Sequence, residues 1–305
     1  MMDYKFQYSA AISLKWIKDH MMGLIFPDIT KQGERIQKNF KGVVVSKNNV
    51  PVGMILGLSD MNLKDFRIMS LRVKPDHANN KLGFRLLIAL EENLKKEGFE
   101  RLELQFRSHW KSLFILEKLL QKTKWKQPEF NMRICQSLVE QAFPVFHGAH
   151  QLPGDYTFSK WKLVSDQEKE DIKRQHEQSK WYPEEVSPFI LADIIETEVS
   201  LALRFKGQIV GWLIIHQISN ETLEYTSLFI DEAHRSFKMG HLLMGEGILS
   251  QSKQKKFPKF LFTVKATNRL MLKFIERNGE SNGMVVTDIF RAEKNLTSYI
   301  YYYVV

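Results

Sequence analysis

At 305 residues the chain is long enough for two domains with separate cores. Its 44% hydrophobic and 26% charged residues exclude a disordered or fibrous class. One cysteine, Cys135, excludes an internal disulfide and a thiolate metal cluster; beside Ile134 it reads as a small buried hydrophobe. The formal charge of +9 sits wholly in the first half: residues 1–150 hold 24 Lys and Arg against 15 Asp and Glu, and residues 151–305 hold 20 of each. Such an asymmetry suits an acidic macromolecule, an RNA or a phosphorylated cofactor, or forms a solvated surface with no ligand.

Met1 to Ala10 mixes Asp3 and Lys5 with aromatics and lacks a signal pattern. No apolar run approaches the roughly eighteen residues of a membrane span. A cytoplasmic location without a membrane span is expected.

In chain order, Ser13 to Met22 reads as an opening helix, and 42–45 and 51–56 as strands around a polar turn, Ser46 to Asn49. A strand at 66–73 leads through a polar loop to an amphipathic helix at 82–96, then a strand at 101–106 and a helix at 111–120. Phe143-Pro144, His147-Gly148 and Leu152-Pro153-Gly154 read as punctuation, which puts a domain boundary near 150. The series then repeats: a charged helix at 165–179, strands at 199–205 and 208–216 about Lys206-Gly207, a strand at 224–230, a helix at 239–253, a strand at 259–264 and a helix at 269–277. The tyrosine-rich 299–305 reads as a closing strand.

The second series lies 157 to 159 residues after the first: Val52-Gly53 answers to Val210-Gly211, Leu71 to Leu228, Lys81 to Lys238, Gly83 to Gly240 and Glu117 to Glu276. A duplication follows, with domains 1–150 and 151–305, each an α/β unit of a central mixed sheet flanked by helices. Chemistry is expected where a strand feeds a helix. In Asp231 to His241, Gly240 reads as a helix start beside Arg235 and Lys238, an anion site suited to pyrophosphate.

These residues resemble the GNAT (Gcn5-related N-acetyltransferase) superfamily, in tandem. Arg235, Lys238 and Gly240 stand at the places of its coenzyme A motif, Arg or Gln, two residues, Gly, one residue, Gly or Ala, with Lys238 replacing the first glycine. Asn268, Met271, Phe274, Glu276 and Gly279 follow its later motif, with Glu280 in place of Phe. The resemblance implies an acetyl-CoA or other acyl-CoA donor held by Phe229, Ile230, Arg235, Lys238, Met239, Gly240, His241 and Asn268. It also implies a main-chain N–H near Phe229 or Ile230 for the thioester carbonyl, and an acceptor segment at Trp181 and Tyr182. A general base is implied at Glu224, whereas the first copy has Arg67 there, Ala78 for Arg235 and His109 for Asn268. The second domain is therefore expected to be the catalytic one and the first structural or substrate-recruiting.

The expected reaction is N-acylation of a small-molecule amine or a peptide, with no metal, since His234 and His241 alone do not form a metal site. The family's tyrosine acid is replaced by Ile275, leaving water, Tyr225 or Tyr301 as candidates. Two other readings stay open: acylation of a peptide, carrier protein or tRNA held by the basic half, with acetyl or a longer acyl chain, and a module without catalysis that binds acyl-CoA or a partner. Monomer and homodimer are both compatible with the sequence.

Overall fold

A computed structural model describes residues 4–21, 40–59, 64–146 and 152–296. The closing strand expected at 299–305, including Tyr301, and the His147-Gly148 punctuation lie outside the described residues. Two compact units divide the chain: residues 1–131 with 289–305, and residues 132–288.

Unit 1 runs β1 (Tyr4–Ile12), α1 (Leu14–Met21), β2 (Phe40–Lys47), β3 (Val50–Ser59), β4 (Asp65–Val73), α2 (Leu82–Lys96), β5 (Arg101–Arg107) and α3 (Leu113–Lys122). Unit 2 takes most of β6 (Glu129–Leu138), then α4 (Val139–Phe146), β7 (Tyr156–Lys160), α5 (Asp166–Ser179), β8 (Leu201–Phe205), β9 (Gln208–Gln217), β10 (Thr222–Ile230), α6 (Phe237–Gln254), β11 (Lys259–Lys265) and α7 (Arg269–Asn278). The last strand among the described residues, β12 (Val285–Asn295), pairs through Ile289–Asn295 with β5 and belongs to unit 1 there. The strand order is β1-β2-β3-β4-β5-β12 in unit 1 and β6-β11-β10-β9-β8-β7 in unit 2. The units therefore differ from the linear halves 1–150 and 151–305: each takes its sixth strand from the other half of the sequence.

Local chemistry explains the elements. The β2–β3 hairpin turns on Asn48 and Asn49, both at positive φ, and the β8–β9 hairpin on Lys206 and Gly207, likewise. In α2, Leu82, Leu86, Leu87, Leu90 and Leu94 form one buried stripe against Val43, Val45, Ile55 and Phe66. Each buried leucine contributes roughly 1.5–3 kcal/mol. Ser165 and Glu168 form a reciprocal capping box at the start of α5. The second core packs Leu243 and Ile248 of α6 on Leu213, Ile215 and Tyr225. Cys135 is fully buried, and burial pushes its thiol up to about 12.

In each unit one strand pair is parallel and the rest are antiparallel, and that pair creates the opening in the sheet. The β4–β5 register ends at Ile68↔Leu104, and the β10–β11 register at Tyr225↔Phe262. One residue further lies a bulge, at Met69 in β4 and Thr226 in β10, where the antiparallel partner skips a residue. The bulge turns β4 or β10 away from its parallel neighbour and leaves a groove under the following helix.

Candidate active site

In unit 1 this groove is open. A cavity of about 1060 Å³ is lined by β4 from Met69 to Val73, by Leu104, by the loop before α2, by the first turn of α2 and by α3, a size that suits a drug-sized or larger ligand. Its lining carries Arg72, Lys81, Lys111, Lys118 and Lys122 and no Asp or Glu. No side chain caps α2, and its first main-chain bond runs from Arg85 N–H to Lys81 O at 3.1 Å. The N–H groups of Leu82, Gly83 and Phe84 thus precede the intrahelical ladder and carry the positive end of the helix dipole. All three residues line the cavity. Lys81 reaches this helix start at φ 56°, the left-handed conformation in which a glycine is unstrained. That is the place of the glycine in the resemblance motif.

Unit 2 is built differently at the same place. α6 begins earlier, at Phe237, and Ser236 caps it: Ser236 Oγ accepts the Met239 N–H at 3.2 Å, and Ser236 O accepts the Gly240 N–H at 3.2 Å. Gly240 therefore lies inside the first turn, with a bonded N–H, and not at the open helix start expected of it. Arg235 is exposed, and its Nε donates to Ile230 O at 3.2 Å, within its own loop. Lys238 is exposed and Met239 is buried.

The groove of unit 2 is filled further in. The Phe146 ring of α4 stacks on His241 at 5.5 Å and lies 6.4 Å from Phe262 and 5.6 Å from Phe274. By the repeat, these three residues correspond to Phe84, Leu104 and Ile115, each of which lines the cavity of unit 1. Phe146 is 2% exposed. Gly245 admits α4, because a Cβ there would meet Phe146 O at 2.5 Å.

The remaining expected residues lie on β10, at the start of α7 and in the loop after α5. Glu224 is half-buried on β10, opposite His216 and two residues before the bulge. His216 is buried, with one ring nitrogen 2.7 Å from Thr226 Oγ1 and the other 3.0 Å from Ile190 O. Asn268 caps α7, its Oδ1 accepting the Met271 N–H at 3.2 Å. Phe229 and Ile230 are buried, Phe229 against Trp212 at 4.5 Å.

Trp181 and Tyr182, expected as an acceptor wall, instead join Trp161, Trp212 and Phe229 in an aromatic core. Tyr182 stacks on His176 at 3.9 Å, and burial raises its hydroxyl. Trp181 Nε1 donates to Asp231. Apolar area in a loop was enough to draw both rings under α5. Tyr225, a candidate acid, is buried and donates its hydroxyl to Gln251 Oε1 at 2.8 Å; burial holds it well above its usual range.

Sequence reasoning missed three features. The Phe146 plug comes from a stretch read as punctuation. The lysine face of α3, Lys118 and Lys122 four residues apart with Lys111 before them, was signalled by the charge of the first half. A Tyr–His bond recurs in both units, Tyr4 to His77 Nδ1 at 3.0 Å and Tyr156 to His234 Nδ1 at 2.9 Å. Each pairs the strand at the outer end of the unit's strand order, β1 or β7, with the loop before its groove helix; the two spacings, 73 and 78 residues, differ, so the repeat offset does not signal it. Among the described residues no group of His, Cys, Asp and Glu is placed to hold a metal, and no helix is long and apolar enough to cross a membrane.

The model of the acetyltransferase (GNAT) family matches residues 15–110 and 161–279, once per repeat and over more than half of the chain. No curated protein matches the sequence. Among solved structures, a tandem GNAT protein from the clavulanic acid biosynthesis pathway is similar over 97% of this chain and 99% of its own, at 11% identity and a TM-score of 0.65. A GCN5-related N-acetyltransferase from Sphaerobacter thermophilus is similar over 89% of this chain and 85% of its own, at 14% identity and a TM-score of 0.64. At these identities the likeness is one of fold. With a family match in each repeat and a bulged, splayed strand pair in each unit, the chain belongs to the GNAT family of N-acetyltransferases and carries its fold twice.

Proposed function

We propose that the chain transfers an acyl group, most simply acetyl, from a coenzyme A thioester to an amine, and that unit 1 holds the thioester. One observation carries this reading: the groove of unit 1 is open, basic and entered by an uncapped helix start, whereas that of unit 2 is occupied by Phe146. The N–H groups of Leu82, Gly83 and Phe84, with the Lys81 ammonium, suit a pyrophosphate. Lys111, Lys118 and Lys122 suit the remaining phosphate. The bulge at Met69 frees main-chain polar groups from the ladder where β4 and β5 part, so an N–H there is the natural partner of the thioester carbonyl.

Attack by the amine nitrogen on the thioester carbon forms the amide and releases coenzyme A thiolate, and the amine's proton has to leave. At the place of Glu224, unit 1 has Arg67, ion-paired with Glu103 at 3.1 Å, so β4 offers no carboxylate there and solvent water takes the proton in this reading. The expected acceptor is a small amine or a peptide. An acidic macromolecule held by the basic half is its extension and predicts binding that weakens steeply with salt.

A second reading puts the donor in unit 2, with Glu224 as general base and Arg235, Lys238 and Asn268 around the cofactor. Retention of Glu224 favours it, and it requires Phe146 to leave the groove. Calorimetric titration of acetyl-CoA into the wild type, Lys81→Gly and Arg235→Ala separates the two. Binding weakened by Lys81→Gly and kept by Arg235→Ala supports unit 1. The opposite result supports unit 2, and no binding by the wild type overturns both.

A further inference from the structure

The groove of unit 2 keeps the parts of a donor site that do not involve Phe146. Its parallel strands part at Tyr225 and Phe262, beside a bulge at Thr226, as the strands of unit 1 part beside Met69. At the mouth, a Cβ built on Gly240 has only Leu228 Cδ2 within 4 Å, at 3.9 Å, so space remains beside Arg235 and Lys238. The obstruction is local and lies deeper, where one ring touches His241, Phe262 and Phe274. We infer that unit 2 contains a second coenzyme A thioester site that the chain itself keeps closed, with Phe146 of α4 standing where the acyl-pantetheine arm would lie.

The inference rests on reading these grooves as thioester sites, and it adds that α4 and the donor compete for one space. The competition has a physical basis in the packing. Phe146 is held by aromatic contacts and by the close approach at Gly245, with no hydrogen bond from its side chain. Aromatic pairs of this kind contribute roughly 0.5–1.5 kcal/mol each beyond area burial, so truncating the ring removes the obstruction without leaving a polar group unpaired. What remains is an apolar cleft that ends at a basic mouth.

The test counts sites by calorimetry with acetyl-CoA, in variants whose thermal transition shows them folded. Gly83→Trp closes unit 1, since a Cβ at Gly83 meets nothing within 4 Å and the ring can fill the cavity it lines. The wild type is expected to bind one equivalent, Gly83→Trp none, Phe146→Ala two, and Phe146→Ala with Gly83→Trp one. Adding Arg235→Ala to that double variant should weaken the new site about tenfold. Phe146→Leu, which keeps most of the buried volume, takes the place of Phe146→Ala if the alanine variant does not fold, with a weaker second site expected.

Folded Phe146 variants that bind nothing once unit 1 is closed would overturn the inference, and so would Gly83→Trp alone binding a full equivalent. Absence of binding by the wild type together with one site in the Phe146 variant would instead remove the unit 1 reading and leave this one standing.

Discussion

Two copies of one fold have diverged here less in their framework than in what fills it. Each unit has a bulged strand leaving its parallel neighbour, a loop tied by a Tyr–His bond to the strand at the outer end of the strand order, and a long helix over the gap. In unit 1 the gap is empty space lined with lysines; in unit 2 it holds an aromatic ring. The residues that most resemble the family's cofactor motif, Arg235 and Asn268, belong to the filled copy. A motif therefore records the residues a site descends from, and only packing shows whether a ligand has room to enter.

The comparison can be broken most forcefully at the ring itself. Phe146→Ala should cost about 3–5 kcal/mol of unfolding free energy, as for other buried Phe truncations. Urea denaturation checks this, and a loss under 1 kcal/mol would mean that the groove is not tightly packed.

Next, Lys81→Gly keeps the left-handed backbone and removes only the ammonium. Acetyl-CoA affinity should fall about 10- to 100-fold by titration, which is the worth of a charge-assisted bond to phosphate. Arg235→Ala should change it by less than about threefold.

A smaller difference lies behind the two helices. Glu91 on α2 accepts from Trp125 Nε1 at 3.0 Å and pairs with Lys294 of β12, whereas the matching position on α6 is Ile248, fully buried among apolar side chains. Glu91→Leu brings unit 1 closer to unit 2 in composition but strands both donors, and should cost about 1–3 kcal/mol in the same urea measurement. A stabilised variant would show that the pair does not earn its burial.

The smallest effect concerns acid. Arg204 beside Glu168, first, and the Ser165 bonds hold the Glu168 carboxyl down at about 2, against 4.5 for the free group. A depressed carboxylate contributes stability that is fully present above pH 4.5 and is lost as pH falls through about 2. Arg204→Gln should therefore shift acid unfolding to higher pH, by a few tenths of a pH unit, followed by tryptophan fluorescence between pH 2 and 5. An unchanged midpoint would show that the pair is solvent-screened.

Much of the framework is legible in the sequence because its signals are local. The leucine spacing of α2 gives its span, 82–96, and the Asn48-Asn49 and Lys206-Gly207 turns give both hairpins. Strand exchange is not legible, since the alternation in β6 and β12 is the same whichever neighbour they pair with. The candidate site divides in the same way. Arg235, Lys238 and Gly240 are recognisable as residue types, but the Ser236 cap moves the helix start ahead of Lys238 and Gly240 and leaves Arg235 in the loop before it. Trp181 and Tyr182 show their apolar area in the sequence and not the core that takes it up. Phe146 carries no motif at all, and its role depends on partners about 95 to 130 residues away.

The exchange of final strands has a consequence for synthesis. Unit 1 lacks its sixth strand until β12, ending at Asn295, has been made, so β5 presents an unpaired edge while the whole of the second repeat is translated. Unit 2 has no such wait, because β6 precedes it. The first repeat to leave the ribosome is therefore the last to be completed. Expressed as two separate polypeptides cut near residue 150, each half would carry a strand that only the other can use, and each should gain order when the two are mixed.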